Sequence, residues 1–241
     1  MSTVRAWALE GLPEVKPGDD LGALLNAVPY EPGDVLVVAH KVVSKAEGAL
    51  RRLDDVTVSE RARALATDQG KDPRHVQVVL DESAAILRAE RGVLICRTHH
   101  GFVCANAGVD ASNAPAAGTV VTLPRDPDAS ARALRERLGC AVVITDSFGR
   151  AWRQGQCEIA IGCAGLAPAR DWRGEPDSDG RPLHATLIAI ADEAAAAADL
   201  VRGKDSREPA VRIRGLERHV TADDGPGAQA LVRAREDDLF L

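Results

Sequence analysis

Two short apolar runs, each bounded by polar or turn-forming residues, constrain the fold of this chain most. Residues 34–39 (DVLVVA) follow a Pro-Gly pair, and residues 141–145 (AVVIT) precede a polar stretch. Uninterrupted apolar runs of this length are typical of buried strands. Asp-Pro pairs at 72–73 and 126–127 each predict the start of a helix, because aspartate caps a helix and proline fits its first turn. The sequence therefore predicts an α/β fold, with α+β as the alternative.

Weaker patterns predict the remaining elements of one domain spanning residues 1–241. The Asp-Pro helices are predicted to run toward Leu80 and to end near Gly139. The other predicted elements are a short helix or turn at 41–48, paired strands at 93–97 and 102–105, strands at 159–163, 185–190 and 211–214, an alanine-rich helix at 192–202 closed by Gly203, and a helix near 229–235. Residues 170–182 are polar and rich in turn formers, which predicts a long surface loop or an internal boundary.

Composition excludes several classes of function. Aromatic residues make up only 3% of the chain and the net charge is −6, so neither a stacking platform nor a basic patch for nucleic acid is expected. The five cysteines include no Cys-x-x-Cys pair, which is typical of reduced thiols. No signal peptide or membrane-spanning run is recognisable. We therefore expect a cytoplasmic protein with no membrane partner.

The standard nucleotide-binding motifs are missing. Gly203-Lys204 is followed by aspartate and lacks the first glycine of a Walker A loop, and no Gly-x-Gly-x-x-Gly opens a helix after a strand. Any nucleotide site must use another arrangement. Three polar segments remain as candidates, at 40–48 (HKVVSKAEG), 108–113 (GVDASN) and 144–150 (ITDSFGR).

Two of these segments carry oxygen ligands for a hard divalent cation. Asp110 follows a predicted strand, and Asp146 and Ser147 come directly after the AVVIT strand. Magnesium and manganese prefer carboxylate, hydroxyl and water oxygens, usually completed by phosphate. Alternatively, Asp110 forms an Asx-turn and Asp146 caps a turn.

The third segment has the character of a phosphate site. Lys41, Ser44 and Lys45 follow a buried strand, and only five of the 30 basic residues in the chain are lysines. Lysine offers a compact charge and serine a hydrogen-bond donor to a polyphosphate. The alternative is a solvated amphipathic turn.

Together with four other strings, these segments resemble the coenzyme F420:glutamate ligase family in its stand-alone form, without the C-terminal flavin-binding domain of some relatives. The strings that carry the resemblance are GLPE (11–14), KVVSKAEG (41–48), AGVDASN (107–113), ITDSFGRAWRQGQ (144–156), IGCAGL (161–166), DEAAAAADLVRGK (192–204) and VRIRGL (211–216). Their order runs along most of the chain, and the fourth is long and specific.

The resemblance implies an activity. Members of the family join L-glutamate through an amide to the deazaflavin precursor F420-0, with GTP as co-substrate and divalent metal, and further γ-linked glutamates can follow. The metal is Mg²⁺ or Mn²⁺, expected as two ions per site, and a monovalent cation is also compatible. Members form an intertwined homodimer of an unusual α/β fold. A chain with few large aromatic residues in its core is stabilised by additional apolar surface buried between subunits. This agrees with a dimer.

Site roles also follow from the resemblance. Leu12, Pro13, Glu14 and Val15 are expected to line the GTP site through the backbone, with Lys45 on the phosphates and Asn113 on the nucleotide. Asp110 and Asp146 are expected to hold one metal, and Ser147 to help hold a second. Arg202, Gly203 and Lys204 match a nucleotide-and-metal loop, in which Asp205 and Glu208 are alternative metal ligands. His40 stands where some members carry a hydroxyl residue.

The expected chemistry is the activation of a carboxylate. Phosphoryl transfer from GTP makes an acyl phosphate, which the amine of glutamate then attacks. Arg150 and Arg153 are candidates to clamp a substrate carboxylate or phosphate, or else are exposed loop charges. Two other functions use the same residues: a metal-dependent phosphohydrolase and a non-catalytic nucleotide-binding protein.

Overall fold

A computed structural model describes residues 3–203 and 205–239 of the chain. The helices are α1 (Leu21–Leu25), α2 (His40–Ala46), α3 (Glu60–Gln69), α4 (Pro73–Asp81), α5 (Pro127–Leu138) and α6 (Ile190–Asp199). The strands are β1 (Arg5–Ala8), β2 (Val35–Ala39), β3 (Leu50–Arg52), β4 (Ser83–Glu90), β5 (Val93–Thr98), β6 (Val103–Ala105), β7 (Thr119–Val121), β8 (Ala141–Arg150), β9 (Arg153–Ala164), β10 (Arg170–Asp171), β11 (Leu187–Ile188) and β12 (Ala210–Arg214).

The central sheet has the strand order β1-β12-β2-β8-β9. Strands β2 and β8 run parallel, from the pair Val35–Ala141 to the pair Ala39–Thr145. The other neighbours in this sheet are antiparallel. A mostly antiparallel sheet without repeated βαβ units corresponds to α+β. The mixed class was therefore predicted correctly, and of the two alternatives α+β describes the structure better.

Apolar side chains cover both faces of the central sheet, which explains its uninterrupted apolar runs. On one face, Leu36 and Ile144 belong to a core completed by α1, α2 and α5. On the other face, Val37 and Val143 pack with the alanines of α6. A third core joins α3 and α4 to the smaller β4-β5-β6 sheet. Successive side chains along β2 and β8 therefore pack alternately into two separate cores.

The two Asp-Pro helices begin as predicted. The side chain of Asp72 accepts a hydrogen bond from the backbone of Arg74, and Asp126 accepts one from Ala129. Gly139 closes α5 in the left-handed region, at φ 70°. The strands predicted around 34–39, 93–97, 102–105 and 211–214 and the helix at 41–48 are also confirmed.

Several predicted boundaries are wrong. The strand predicted at 185–190 is only β11, because Ile190 already begins α6. Helix α6 ends at Asp199, and Gly203 does not close it, since the backbone of Gly203 is not in the left-handed region. The α-helix predicted near 229–235 is replaced by 3-10 turns at Ala228–Leu231 and Arg235–Asp237. Strands β8 and β9 extend far beyond the predicted apolar runs, since pairing with each other continues after their apolar residues end.

Residues 170–182 are mostly exposed and turn-rich, as predicted, although Arg170–Asp171 forms the short strand β10. The internal boundary proposed there stays a prediction. Among the described residues, no helix is long and apolar enough to cross a membrane.

Candidate functional site

Asp146 lies where β8 leaves the core. Thr145 before it is fully buried, whereas the Asp146 side chain is 16% exposed. Oδ1 of Asp146 lies 3.3 Å from Nε2 of the buried His40, whose Nδ1 lies 3.2 Å from Oγ of Ser44. Within the described residues, this Nε2 is a buried polar atom without a well-aligned hydrogen-bond partner. A buried ring nitrogen and a partly exposed carboxylate therefore face each other where β8 leaves the core.

Asp110 is held at the same end of the sheet by a backbone bridge to Val121. Its Oδ2 lies 2.5 Å from Nζ of Lys41, and both the backbone N–H and the hydroxyl of Ser112 donate to its carboxylate. Burial by itself raises the pKa of Asp110, but the hydrogen bonds from Lys41 and Ser112 outweigh it and hold that pKa below its usual value. Asp110 is therefore ionised at neutral pH.

The two aspartates contact consecutive residues at the start of α2: Asp146 contacts His40 and Asp110 contacts Lys41. No group of three His, Cys, Asp or Glu side chains arranged for metal binding occurs in the described parts of the chain. A magnesium ion that keeps several waters needs only one or two protein carboxylates. The carboxylates of Asp110 and Asp146 suit such an ion.

Ser147 faces the opposite side of β8 and introduces a residue that sequence reasoning missed. Its hydroxyl donates to Glu158, its direct partner on β9. Glu158 is only 4% exposed, and its Oε2 accepts from Arg202 at 2.8 Å. Arg202 also donates to Thr145 Oγ1 at 3.0 Å. A lone acid at the start of the apolar run EIAIGCA was the available signal, but only the strand register places it opposite Ser147.

The residues predicted to bind nucleotide are brought together in part. Nζ of the buried Lys45 lies 2.5 Å from Oε1 of Glu14, so the GLPE segment and α2 are in contact. Leu12 packs against the neighbouring core and Val15 is buried within it, whereas Pro13 is exposed. Asn113 is exposed with φ 56°, in a turn beyond Asp110. The ammonium of Lys45 would have to leave Glu14 to reach a phosphate.

The structure separates Arg150 and Arg153 from Asp146. Arg150 and Arg153 pair at the exposed end of the β8–β9 hairpin, roughly 13 Å along the strand from Asp146 at ~3.3 Å per residue. Gly203 and Asp205 are exposed and Glu208 is half-buried. Lys204 lies outside the described residues.

Comparison with known proteins identifies the family. The family model described as F420-0:gamma-glutamyl ligase matches residues 11–215. The chain belongs to this family. A Methanopyrus kandleri protein named coenzyme F420:L-glutamate ligase is 47% identical over 94% of this chain and 93% of its own length. Proteins of the same name from Natronomonas pharaonis and Methanothermobacter thermautotrophicus are 46% and 44% identical, over 98% and 96% of this chain and 94% and 96% of their own lengths. All the candidate residues from Leu12 to Glu208 lie within the matched range.

Proposed function

We propose that this chain is a ligase that joins L-glutamate to the deazaflavin precursor F420-0, using GTP and a divalent metal. The observation that carries the proposal is that Asp146 and Asp110 contact His40 and Lys41, the first two residues of α2, whose last turn holds the buried Lys45. Membership of the F420-0:gamma-glutamyl ligase family and the names of its relatives support the substrate class.

Asp110 and Asp146 would hold one Mg²⁺ or Mn²⁺, and Ser147 would help to hold a second. When bound, such ions neutralise charge on the phosphates of GTP. Glu158 accepts hydrogen bonds from the Ser147 hydroxyl and from the Arg202 guanidinium. It therefore fixes the direction of both side chains. We assign Glu158 a positioning role, because it acts through these two neighbours.

The protein residues would position two successive transfers. Leu12 to Val15 would hold GTP through their backbone, with Lys45 on its phosphates and Asn113 on the nucleotide. A carboxylate oxygen of F420-0 attacks the γ-phosphorus of GTP, and the bond from this phosphorus to the β-phosphate oxygen breaks. The products of this step are an acyl phosphate and GDP. The neutral amine of glutamate attacks the acyl carbon, the bond from that carbon to the phosphate oxygen breaks, and the departing phosphate carries away the proton that the nitrogen loses, so the amide remains. Fixed positive charge at the transferring phosphoryl group supplies most of the catalysis.

Assembly and compartment belong to the same proposal. The exposed β8–β9 hairpin end is suited to contact with a second copy of the chain, in the intertwined homodimer that the family resemblance implies. All five cysteines are free, and four of them are buried, which suits the reducing cytoplasm.

One incubation tests the activity. The protein is mixed with GTP, L-glutamate, Mn²⁺ and F420-0, and the products are weighed by mass spectrometry. We expect a deazaflavin heavier by one glutamyl residue, with GDP and phosphate formed in equal amounts. GTP hydrolysis without the amide would identify a phosphohydrolase instead, and neither product would identify a nucleotide-binding protein.

Lys45 offers a second test. Lys45→Ala removes a charge-assisted contact to the phosphates, so the apparent GTP affinity or the phosphoryl-transfer step should weaken by about 1.5–3 kcal/mol. Lys45→Arg should restore only part of this loss, because a planar guanidinium does not replace a compact ammonium. Lys71→Ala, in the turn between α3 and α4, is the control. Full activity of Lys45→Ala would contradict the phosphate role.

A further inference from the structure

A half-open cavity of about 460 Å³ lies along β9, the edge strand of the central sheet. Phe102, Phe148 and Ile159 form part of its lining. The rings of Phe102 and Phe148 meet edge to face with centroids 6.3 Å apart, and each residue is only 7% exposed. Small-molecule sites are typically concave, mostly apolar and of this size.

The cavity adjoins Asp146 on the side away from α2. Ile159 is the direct ladder partner of Asp146, and Phe148 lies two residues further along the same strand, hence on the same face. On its other side, Asp146 contacts His40, the first residue of α2. A nucleotide held at α2 and a second ligand held in the cavity would therefore approach each other at Asp146.

The opposite wall of the cavity is fixed by one carboxylate. Oδ1 of Asp128, in the first turn of α5, accepts from the backbone N–H of Cys163 on β9 at 2.8 Å and from that of Ala228 at 2.7 Å. Its Oδ2 accepts from the N–H of Gln229 at 3.2 Å. These bonds tie the 3-10 turn Ala228–Leu231, which contributes to the wall, to β9. The cavity is thus formed by the fold before any ligand arrives.

The polar rim is mainly positive. It carries Arg97, Arg233 and Arg235 together with Asp192 and Asp238. The Asp192 carboxylate accepts the backbone N–H of Ala160 at 2.9 Å, and Asp238 lies 3.9 Å from Arg97. Arg233 and Arg235 are exposed to solvent. Arginine on the rim of an aromatic cavity is suited to a flat ligand with a phosphate or carboxylate arm.

A larger cavity of about 670 Å³ does not have this relation to the site. It lies between α6 and strands β10 to β12, and its lining includes Trp172, Ile190 and Ile213 but no residue of β8 or β9. A ligand there would be separated from Asp146 by the strands of the sheet.

We propose that the cavity along β9 binds the deazaflavin ring system of F420-0. The anionic arm of this ligand would pass the arginine rim toward Asp146. This inference rests on the proposed function, since it supplies the acceptor subsite of that reaction. Flat aromatic rings pack favourably against the edges and faces of phenylalanine. The nucleotide segments contact α2 on the other side of Asp146, which leaves this side for the second substrate.

Two substitutions at exposed positions test the inference without disturbing the core. Val103 lines the cavity and is 45% exposed on β6, so Val103→Trp fills the space. Arg233→Glu reverses one rim charge. The matched controls are Val93→Trp, at a 42% exposed site on β5 outside the cavity, and Arg88→Glu on the exposed face of β4. Binding of F420-0 is followed by its own fluorescence, and KM values are measured for all three substrates.

We expect Val103→Trp to weaken F420-0 binding roughly tenfold or more, by steric overfilling. Arg233→Glu should weaken it a few-fold, with a larger effect at low salt. KM values for GTP and glutamate should stay unchanged, as should every value in the control variants. Unaltered F420-0 binding in both cavity variants would overturn the inference. Weaker GTP binding instead of weaker F420-0 binding would also overturn it. Fluorescence binding without amide formation in the wild type would overturn the proposed function and leave the cavity assignment standing.

Discussion

The two halves of the β8–β9 hairpin have opposite environments although they belong to the same pair of strands. In the inner half, residues 141–145 and 160–164 are all buried between α5 on one face and α6 on the other. In the outer half, residues 149–156 are all exposed. Asp146, Ser147 and Glu158 lie at the transition. The comparison shows how a site is made: the inner half fixes the backbone, and the candidate ligands follow where solvent and substrates first gain access.

The largest effect is expected at the transition itself. Asp146→Ala removes a carboxylate proposed to hold metal, so turnover should fall on the order of 10³-fold, as for loss of a group that stabilises developing charge. Because the side chain is partly exposed, the fold should persist, as judged by circular dichroism. Asp171→Ala, in the exposed strand β10, is the control. Near-normal turnover at saturating manganese would exclude Asp146 as a metal ligand.

Truncating a side chain in the inner half should lower the free energy of unfolding. Ile144 is fully buried in β8, and truncating such a residue to alanine typically costs about 2–5 kcal/mol because of the cavity that remains. Urea unfolding of Ile144→Ala at fixed protein concentration should show a loss in this range. Arg153→Ala in the outer half should change stability by less than about 0.5 kcal/mol. Equal losses in the two variants would contradict the division of the hairpin.

The same contrast explains which parts of the fold were predictable. The inner half was found because burial on both faces produces an uninterrupted apolar run. Strand β4 was missed because it is only half-buried and carries charged residues. Helix α3 was missed because its buried face is two alanines, Ala62 and Ala66, although Ser59 and Gly70 cap its ends. The other strands and α-helices that were not predicted are β1, α1, β3, β7 and β10. Helix α6 was predicted too long because its composition continues to favour helix after packing against the sheet has ended.

The site was predictable to the extent that its chemistry is local. Asp110, Asp146 and Lys45 each follow an apolar run, and the structure places the three around α2. Glu158 is different, since its role depends on antiparallel register between residues eleven positions apart. The early end of α6 is a similar case, because it frees Arg202 to turn toward Glu158. Such pairings are set by tertiary structure, and residue type alone does not reveal them.

Substitutions in the outer half should hardly change the free energy of unfolding of a single chain, but they should change the association of two chains. Trp152, at the hairpin end, is 80% exposed with φ 58°. A bulky residue in the left-handed region costs roughly 1–2 kcal/mol, and its contacts within the chain leave most of the ring in solvent. An exposed tryptophan in a strained turn is therefore suited to burial against a second copy of the chain.

Trp152→Ala tests this directly. The free energy of unfolding per chain should change by less than about 0.5 kcal/mol, whereas the dimer should dissociate at higher protein concentration than the wild type. Analytical ultracentrifugation across a dilution series measures the change, with Leu200→Ala, at a site 88% exposed in another part of the molecule, as the matched control. A wild-type protein that sediments at the 25.5 kDa monomer mass while fully active would refute the dimer. Equal dissociation of Trp152→Ala and wild type would move the interface away from the hairpin end, because a buried aromatic anchor contributes strongly to association.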